Sequence, residues 1–296
     1  MPELPEAETI VRGLRRHLAG RKVAAIEILR PDLLDTPSEA FRSFLAGASF
    51  RKLARRGKNL LLHMGAARSG RRASGPDTDG RDEGFTLVIN LGMSGRLLIR
   101  EPGDPTPPPS HPGVRLHLDG GGELVYHDIR RFGRLAIMDP IALRAWSRTL
   151  GPEPLGPAFT VKKLRGALAR SSAPIRSWLL DQRSVAGVGN IYANEALFLA
   201  RVHPVTPANA MDGEGATRLY RTLRSVLRTA IRARGTTLRD YRTAEGLEGS
   251  YASRLRVYGR EGSPCPRCRA SILRITFGGR SAFFCPSCQR PAPSAQ

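Results

Sequence analysis

Three things are scarce in this chain. Acidic residues are few: 26 Asp and Glu face 47 Lys and Arg, a formal net charge of +21. Such an imbalance points to a polyanionic partner, most simply nucleic acid, bound in a salt-dependent way. Lysine is scarcer still, at five residues, so 47 − 5 = 42 of the cations are arginine. A GC-rich genome explains arginine over lysine, but not base over acid. Long apolar runs are missing too, and none nears the ~20 residues of a membrane span. The first residues show neither a basic-then-apolar signal pattern nor transit-peptide composition. The expectation is a soluble cytoplasmic protein with no membrane partner, long enough at 296 residues for two cores.

Cysteine is absent until Cys265, and then four follow: Cys265, Cys268, Cys285 and Cys288. Two Cys-x-x-Cys pairs sixteen residues apart suit a zinc site, each pair forming a tight turn that aims two thiolates at one point. Four thiolates leave no open position, so the zinc is read as structural. Disulfides and a redox Cys-x-x-Cys are the alternatives, the first disfavoured in a reducing compartment.

Residues 3–19 read as an amphipathic helix, with Ile10, Leu14 and Leu18 every four residues, Val11 widening the stripe and Gly20 ending it. Short β-like runs follow: "KVAAIEIL", "KNLLLHM", "FTLVINL", "GRLLIR", "VRLHL", "GELVYH" and "RLAIM". Their spacing predicts a β-sandwich or barrel. Residues 65–84 have almost no apolar content and read as a disordered loop, and "EPGDPTPPPSHPG" as an extended one. After "LGPEPLGP" the pattern turns helical over 160–170, 174–182, 190–201 and 216–234, with "AGVGN" as a tight turn. A connector, "GTTLRDYRTAEGLEGSYAS", leads to the cysteine hairpin, and no internal repeat is visible.

The opening "MPELPEAE" places a proline behind a readily trimmed methionine, and an acid behind the proline. Alone, that is a helix start. In order along the chain, however, stand "MPELPEAETIVRGL", "RRGKNLLL", "NLGMSGRL", "YHDIRRFGRL", "LGPEPL", "VAGVGNIYANEALFLARVHP", "GTTLRDY", "VYGREGSPCPRC" and "FFCPSCQ". Each is weak by itself. Together, from residue 1 to about 290, they closely resemble the formamidopyrimidine-DNA glycosylases, bacterial enzymes that remove oxidised purines from DNA.

The resemblance implies an α+β multi-domain fold. A catalytic helix and β-sandwich would occupy 1–140 and a helix-two-turn-helix DNA-binding domain 141–245. A lesion loop and zinc ribbon would occupy 246–290, with a flexible tail at 291–296. It implies a monomer with one structural zinc, acting on double-stranded DNA that carries oxidised bases or abasic sites. It further implies that Met1 is removed and that the secondary amine of Pro2 is the nucleophile. The chemistry supports the choice, since an α-amino group titrates near ~8 and lysine near ~10.4. At neutral pH roughly a tenth of such an amine is free, against well under a thousandth of a lysine.

On the same basis Glu3 is the acid–base partner, although its residue type also suits a first helical turn. Glu6 would hold the N-terminus in place. Lys58, one of five lysines in an arginine-rich chain, would contact phosphate and act as an acid during elimination. Arg260 would grip the phosphates beside the lesion through its fork of donors. An extruded base leaves a void, which Met93, Arg130 and Phe132 would fill, the arginine facing the orphaned cytosine. His111 and Asn190 are candidate DNA contacts. The glycines of "VAGVGN" would let the backbone approach a phosphate, with the next helix pointing its N–H groups outward. Arg170 stands beside Ser171 and Ser172, where family members place a basic contact. Asn90 replaces the usual histidine before "LGM", so one phosphate contact is expected to be weaker.

Three rival readings remain. An endonuclease VIII type would prefer oxidised pyrimidines, though that branch opens "MPEGPE" rather than "MPELPE". A non-catalytic sensor of damaged DNA would use the same modules without the amine. A zinc-ribbon transcription accessory factor would leave the N-terminal motifs unexplained.

Overall fold

The computed structural model describes residues 2–66 and 84–290. Most of the polar insertion (67–83), Met1 and the expected flexible tail 291–296 lie outside the described residues. Packing divides the chain into two compact units. The first holds Pro2, Glu6–Arg148 and Thr237–Gly249; the second holds Glu3–Pro5, Thr149–Thr236 and the described residues from Ser250. This division by packing differs from the division by motif. Residues 141–148 and 237–249 pack with the sandwich, because the helix Pro140–Arg148 lies against the strands Phe85–Asn90 and Arg134–Met138, and Tyr241 and Ala244 enter the sandwich core.

In the first unit, helix α1 (Leu4–Leu18) precedes β1 (Val23–Ile28), α2 (Ser38–Leu45), β2 (Ser49–Arg56) and β3 (Asn59–Gly65). Then come β4 (Phe85–Asn90), β5 (Arg96–Arg100), β6 (Pro112–Leu118), β7 (Glu123–His127), β8 (Arg134–Met138) and α3 (Pro140–Arg148). Two four-stranded antiparallel sheets form, ordered β1-β6-β7-β5 and β2-β3-β4-β8. Their inner faces share one core with α1. Leu53, Leu60, Leu62, Leu87 and Ile89 come from one sheet, Leu97, Val114, Leu116 and Leu124 from the other, and Ile10, Leu14 and Leu18 from the helix. That is the expected sandwich, its strands alternating inward and outward residues. Three elements escaped the sequence. Strand β2 reads "SFRKLARR", too charged to look like a strand, yet only Phe50 and Leu53 of it need burial. Helix α2 is one short amphipathic piece, and α3 has no buried residue at all.

In the second unit stand α4 (Val161–Leu168), α5 (Ile175–Leu180), α6 (Asn190–Ala200), α7 (Gly213–Arg232) and the hairpin β9 (Leu273–Phe277)–β10 (Arg280–Phe284). Helix α6 is buried on nearly every face, as its sequence "NIYANEALFLA" requires. It packs on α7, whose Leu219, Leu223, Val226 and Leu227 recur at helical spacing. Helix α7 starts three residues before the sequence suggested. The Asp212 side chain accepts the Gly215 N–H, a cap strong enough to draw "GEG" into the first turn. Among the described residues no helix is long and apolar enough to cross a membrane.

Candidate functional site

The four cysteines converge as the spacing predicted. Their Sγ atoms all lie within 4.8 Å of one another, with Cys265–Cys288 at 4.0 Å and Cys268–Cys285 at 3.4 Å. Thiolates around zinc, each bonded at ~2.3 Å, stand about 3.8 Å apart, so the set fits a tetrahedral ion. Backbone N–H groups of Arg267 and Cys288 donate to the sulfurs of Cys265 and Cys285. An N–H from Ala270 and the neighbouring Cys285 thiol hold Cys268 down to about 7, whereas burial pushes the Cys285 and Cys288 thiols up. Gln289, fully buried, ties the ribbon down by accepting from Cys285 N and donating to Val202 O. The four thiolates hold one structural zinc, which supplies a crosslink and no reaction chemistry.

At the start of α6 the structure corrects one expectation. The N–H groups there do not point outward to a phosphate. The carboxylate of Glu3, 2% exposed, accepts from Gly189 N and Ile191 N at 2.9 Å each and from Tyr192 N at 3.4 Å. A helix N-terminus is an anion site, and here the chain supplies its own anion. Glu3 therefore serves α6, not the first turn of α1. Gly189 is needed for space, since a Cβ there would lie 2.3 Å from Glu3 Cδ. Gly187, in the left-handed region at φ +85°, offers its carbonyl to Leu4 N. Gln182 braces the same turn by accepting from Gly187 N and donating to Val188 O.

Asn190, the first residue of α6, has protein partners. Its Oδ1 accepts from Arg176 Nη2 at 2.8 Å and Asn194 Nδ2 at 3.0 Å, and its Nδ2 donates to Ser281 O on β10 at 3.0 Å. Arg176 is 1% exposed, also donates to Ser281 O, and stacks 4.7 Å over Phe277. Burial, with Arg280 adding, draws its guanidinium down to about 10. One buried cation thus joins α5, α6 and the zinc hairpin. Arg260 is half-buried on the turn after Val257, its guanidinium donating to Leu255 O. That turn hangs on Glu195, a fully buried carboxylate on α6 that accepts from the N–H groups of Arg256, Val257 and Tyr258. Burial pushes the Glu195 carboxyl up, and those three donors oppose it. Arg170 is exposed beyond the end of α4, on an open groove of about 1080 Å³ shared with Lys163, Ser171 and Trp178.

In the sandwich unit Met93, Arg130 and Phe132 come together on two adjoining turns. Met93 is 42% and Phe132 54% exposed, and the Arg130 guanidinium lies 4.7 Å over the Phe132 ring. Asp128, 3% exposed, organises them. It accepts from Ser94 Oγ at 2.6 Å, Gly133 N at 2.8 Å, Arg130 N at 3.2 Å and Tyr126 Oη at 3.3 Å. Gly92, at φ +55°, lies so close to the 132–133 backbone that a Cβ would come within 2.6 Å. Large apolar groups held outward on rigid turns cost solvation in the free protein and are available to a ligand.

His111 is exposed; its ring sits edge-on to His127 at 5.8 Å and its Nδ1 meets Ser110 Oγ. Lys58 is half-buried at the tip of the β2–β3 hairpin, next to Gly57 at φ +60°. Pro2 is buried, as is Glu6 at 1% exposure. Asn90 is turned to the protein, donating to Asn59 Oδ1 and accepting from Gly92 N.

Among the residues in these networks that were not singled out by sequence are Asp128, Ser94, Arg176 and Glu195. Arg176 and Glu195 did leave a trace, each a lone charge in an otherwise apolar stretch, "PIRSWLL" and "NEALFLA". Asp128 and Ser94 left none, being polar residues in polar turns.

A β-sandwich with exposed Met93 and Phe132, a helical unit and a four-cysteine ribbon thus make up the described chain. The comparisons agree along the whole chain. Residues 1–135 match the formamidopyrimidine-DNA glycosylase N-terminal domain, 150–242 the corresponding H2TH domain, and 262–291 the zinc finger found in FPG and IleRS. A formamidopyrimidine-DNA glycosylase of Desulforamulus reducens is 42% identical over 98% of this chain and 99% of its own. A solved structure of the Thermus thermophilus protein is 38% identical, covers 99% of this chain and 100% of its own, and has a TM-score of 0.83. A Lactococcus lactis variant solved with DNA containing Fapy-dG is 31% identical, covers 98% and 100%, and has a TM-score of 0.85. The chain belongs to the formamidopyrimidine-DNA glycosylase family, whose members are DNA glycosylases with abasic-site lyase activity.

Proposed function

We propose that this chain excises oxidised purines, such as 8-oxoguanine opposite cytosine and formamidopyrimidines, from duplex DNA in base excision repair. It then nicks the strand, and the Pro2 nitrogen serves both stages, first as nucleophile and then, in the iminium, as electron sink. The observation that carries the proposal is the N-terminus itself. Pro2 is buried and joined to a Glu3 whose carboxylate is fixed by three N–H donors. Once Met1 is removed, that amine attacks the sugar C1′, and the base departs with the bonding pair and takes up a proton. The C1′–O4′ bond then breaks, its electron pair leaving on a protonated O4′ as the nitrogen lone pair forms the C1′=N bond. The resulting iminium cation acidifies the C2′ proton. Loss of that proton breaks the C3′–O bond, and a second elimination releases the 5′ side.

Glu3 exchanges protons with the opened sugar and leaving groups. Lys58 holds a phosphate and acts as an acid in elimination, and Arg260 grips the phosphates flanking the lesion. Met93 and Phe132 fill the void left by the extruded base and Arg130 reads the orphaned cytosine. His111, Asn190 and Arg170 contact the DNA backbone; for Asn190 that requires exchanging a protein partner for phosphate. The enzyme works as a monomer in the cytoplasm, where the net charge of +21 draws it to DNA.

Turnover on duplexes carrying 8-oxoguanine and thymine glycol tests the substrate. The proposal expects the purine to be preferred; a clear preference for thymine glycol would assign the chain to the pyrimidine-excising branch instead.

A further inference from the structure

Between the hairpin that carries Lys58 and the turn that carries Met93 runs a directed chain of amide hydrogen bonds. The Asn59 Nδ2 donates to Arg56 O at 3.2 Å, closing the hairpin on either side of Lys58. The Asn59 Oδ1 accepts from Asn90 Nδ2 at 2.8 Å, across the β3–β4 register that pairs these two residues. The Asn90 Oδ1 in turn accepts from Gly92 N at 2.9 Å, the first link of the Met93 turn. Each carboxamide has its donor end engaged on one side and its acceptor end on the other, so neither can flip without breaking two bonds. Aligned bonds of this kind also reinforce one another. Gly92 lies against the backbone of Phe132 and Gly133, which extends the connection to the second wedge residue.

We propose that Asn59 and Asn90 are positioning residues that couple the seating of the Met93–Phe132 wedge to the placement of the Lys58 ammonium, and so couple base extrusion to strand cleavage. The wedge turn moves when a base is extruded, and the relay carries that displacement to the Lys58 hairpin. Asn90 is thus a part of the reaction's timing, not a weakened substitute for a phosphate contact. The inference rests on the roles given above to Lys58 and Met93, and its test separates the two.

The measurement is a pair of single-turnover rates, base release and strand scission, on one duplex carrying a single 8-oxoguanine opposite cytosine. Lys58→Gln comes first and should slow scission far more than base release; equal rates there would overturn the Lys58 role itself. Asn59→Leu should lower the scission-to-release ratio about tenfold with a melting temperature close to the parent's. Asn59→Asp removes the donor to Arg56 O and Asn90→Asp removes the donor to Asn59, so each breaks one link of the relay and should lower the ratio as Asn59→Leu does. In the Lys58→Gln background Asn59→Leu should have no further effect on the ratio. A parent-like ratio in Asn59→Leu, or additive losses in the double variant, would overturn the coupling while leaving the Lys58 role standing.

Discussion

In the sandwich unit Met93, Arg130 and Phe132 stand exposed on short turns, and a single buried carboxylate, Asp128, gathers the polar groups behind them. In the helical unit the arrangement is reversed. Arg176, Glu195 and Glu3 are sealed from solvent, and Asn190 and the Arg260 turn are held by them. The difference follows from what each unit is asked to do. On the proposed role, side chains that replace a base have to project and accept desolvation only when DNA arrives. Groups that hold an N-terminus and a ribbon in fixed geometry benefit from burial, where each charge-assisted hydrogen bond contributes roughly 1.5–3 kcal/mol and a lost partner costs more.

If the helical unit depends on its sealed charges, disturbing one should have the largest effect. Gly189→Ala puts a methyl where the Glu3 carboxylate lies, so that carboxylate must leave its donors. A loss of about 3–5 kcal/mol is expected, the range for stranding a buried charge. Thermal melting reads the loss, and a parent-like melting temperature would show that the donors are dispensable. Cys285→Ser, or stripping zinc with a chelator, opens the ribbon that carries Ser281, the acceptor of both Arg176 and Asn190. Duplex affinity should then fall by at least about a hundredfold, as expected where binding energy is concentrated in a few groups. Unaltered affinity would detach the ribbon from DNA binding.

The sandwich unit should respond more mildly and split in two. Asp128→Ala strands the Gly133 N–H and leaves the Ser94 hydroxyl without its acceptor, at a cost of about 2–3 kcal/mol in urea unfolding. Met93→Ala, at a half-exposed position, should change stability by less than about 0.5 kcal/mol. It should nevertheless slow base release, which stopped-flow fluorescence on lesion duplex would report.

The smallest effect concerns pH. His127 is held below its ordinary value by burial first, then by Arg96 and His111. The unfolded chain therefore takes up the proton first. The folded state keeps its full margin above about pH 6.5 and loses part of it as pH falls toward the lowered value. His63 and His203 shift the same way, so His127→Gln should flatten only part of the slope of unfolding midpoint against pH.

How far the sequence could be read followed physical lines. Strands β3, β4 and β7 were legible because their apolar residues have nowhere to go but a core, and the ribbon because thiolate spacing is geometric. Strand β2 was hidden by its solvent-facing arginines and lysine, and α3 by lying on the surface with nothing buried. Among the candidate site residues, those with unusual chemistry, such as Pro2 and Lys58, stand out through their motifs, and their roles rest on the proposal. The residues that hold them do not stand out. No local pattern says that Glu3 caps a helix nearly two hundred residues away, or that Asp128 and Ser94 meet.

The account turns on one atom, the Pro2 nitrogen. Borohydride reduction of the zinc-loaded protein, lacking Met1, on a duplex with one 8-oxoguanine opposite cytosine would trap any iminium as a stable adduct. Peptide mapping of that adduct should place the sugar on Pro2. An adduct on a lysine, or no adduct with either the lesion or an abasic site, would contradict the account, and the second outcome would leave a protein that binds damage without reacting.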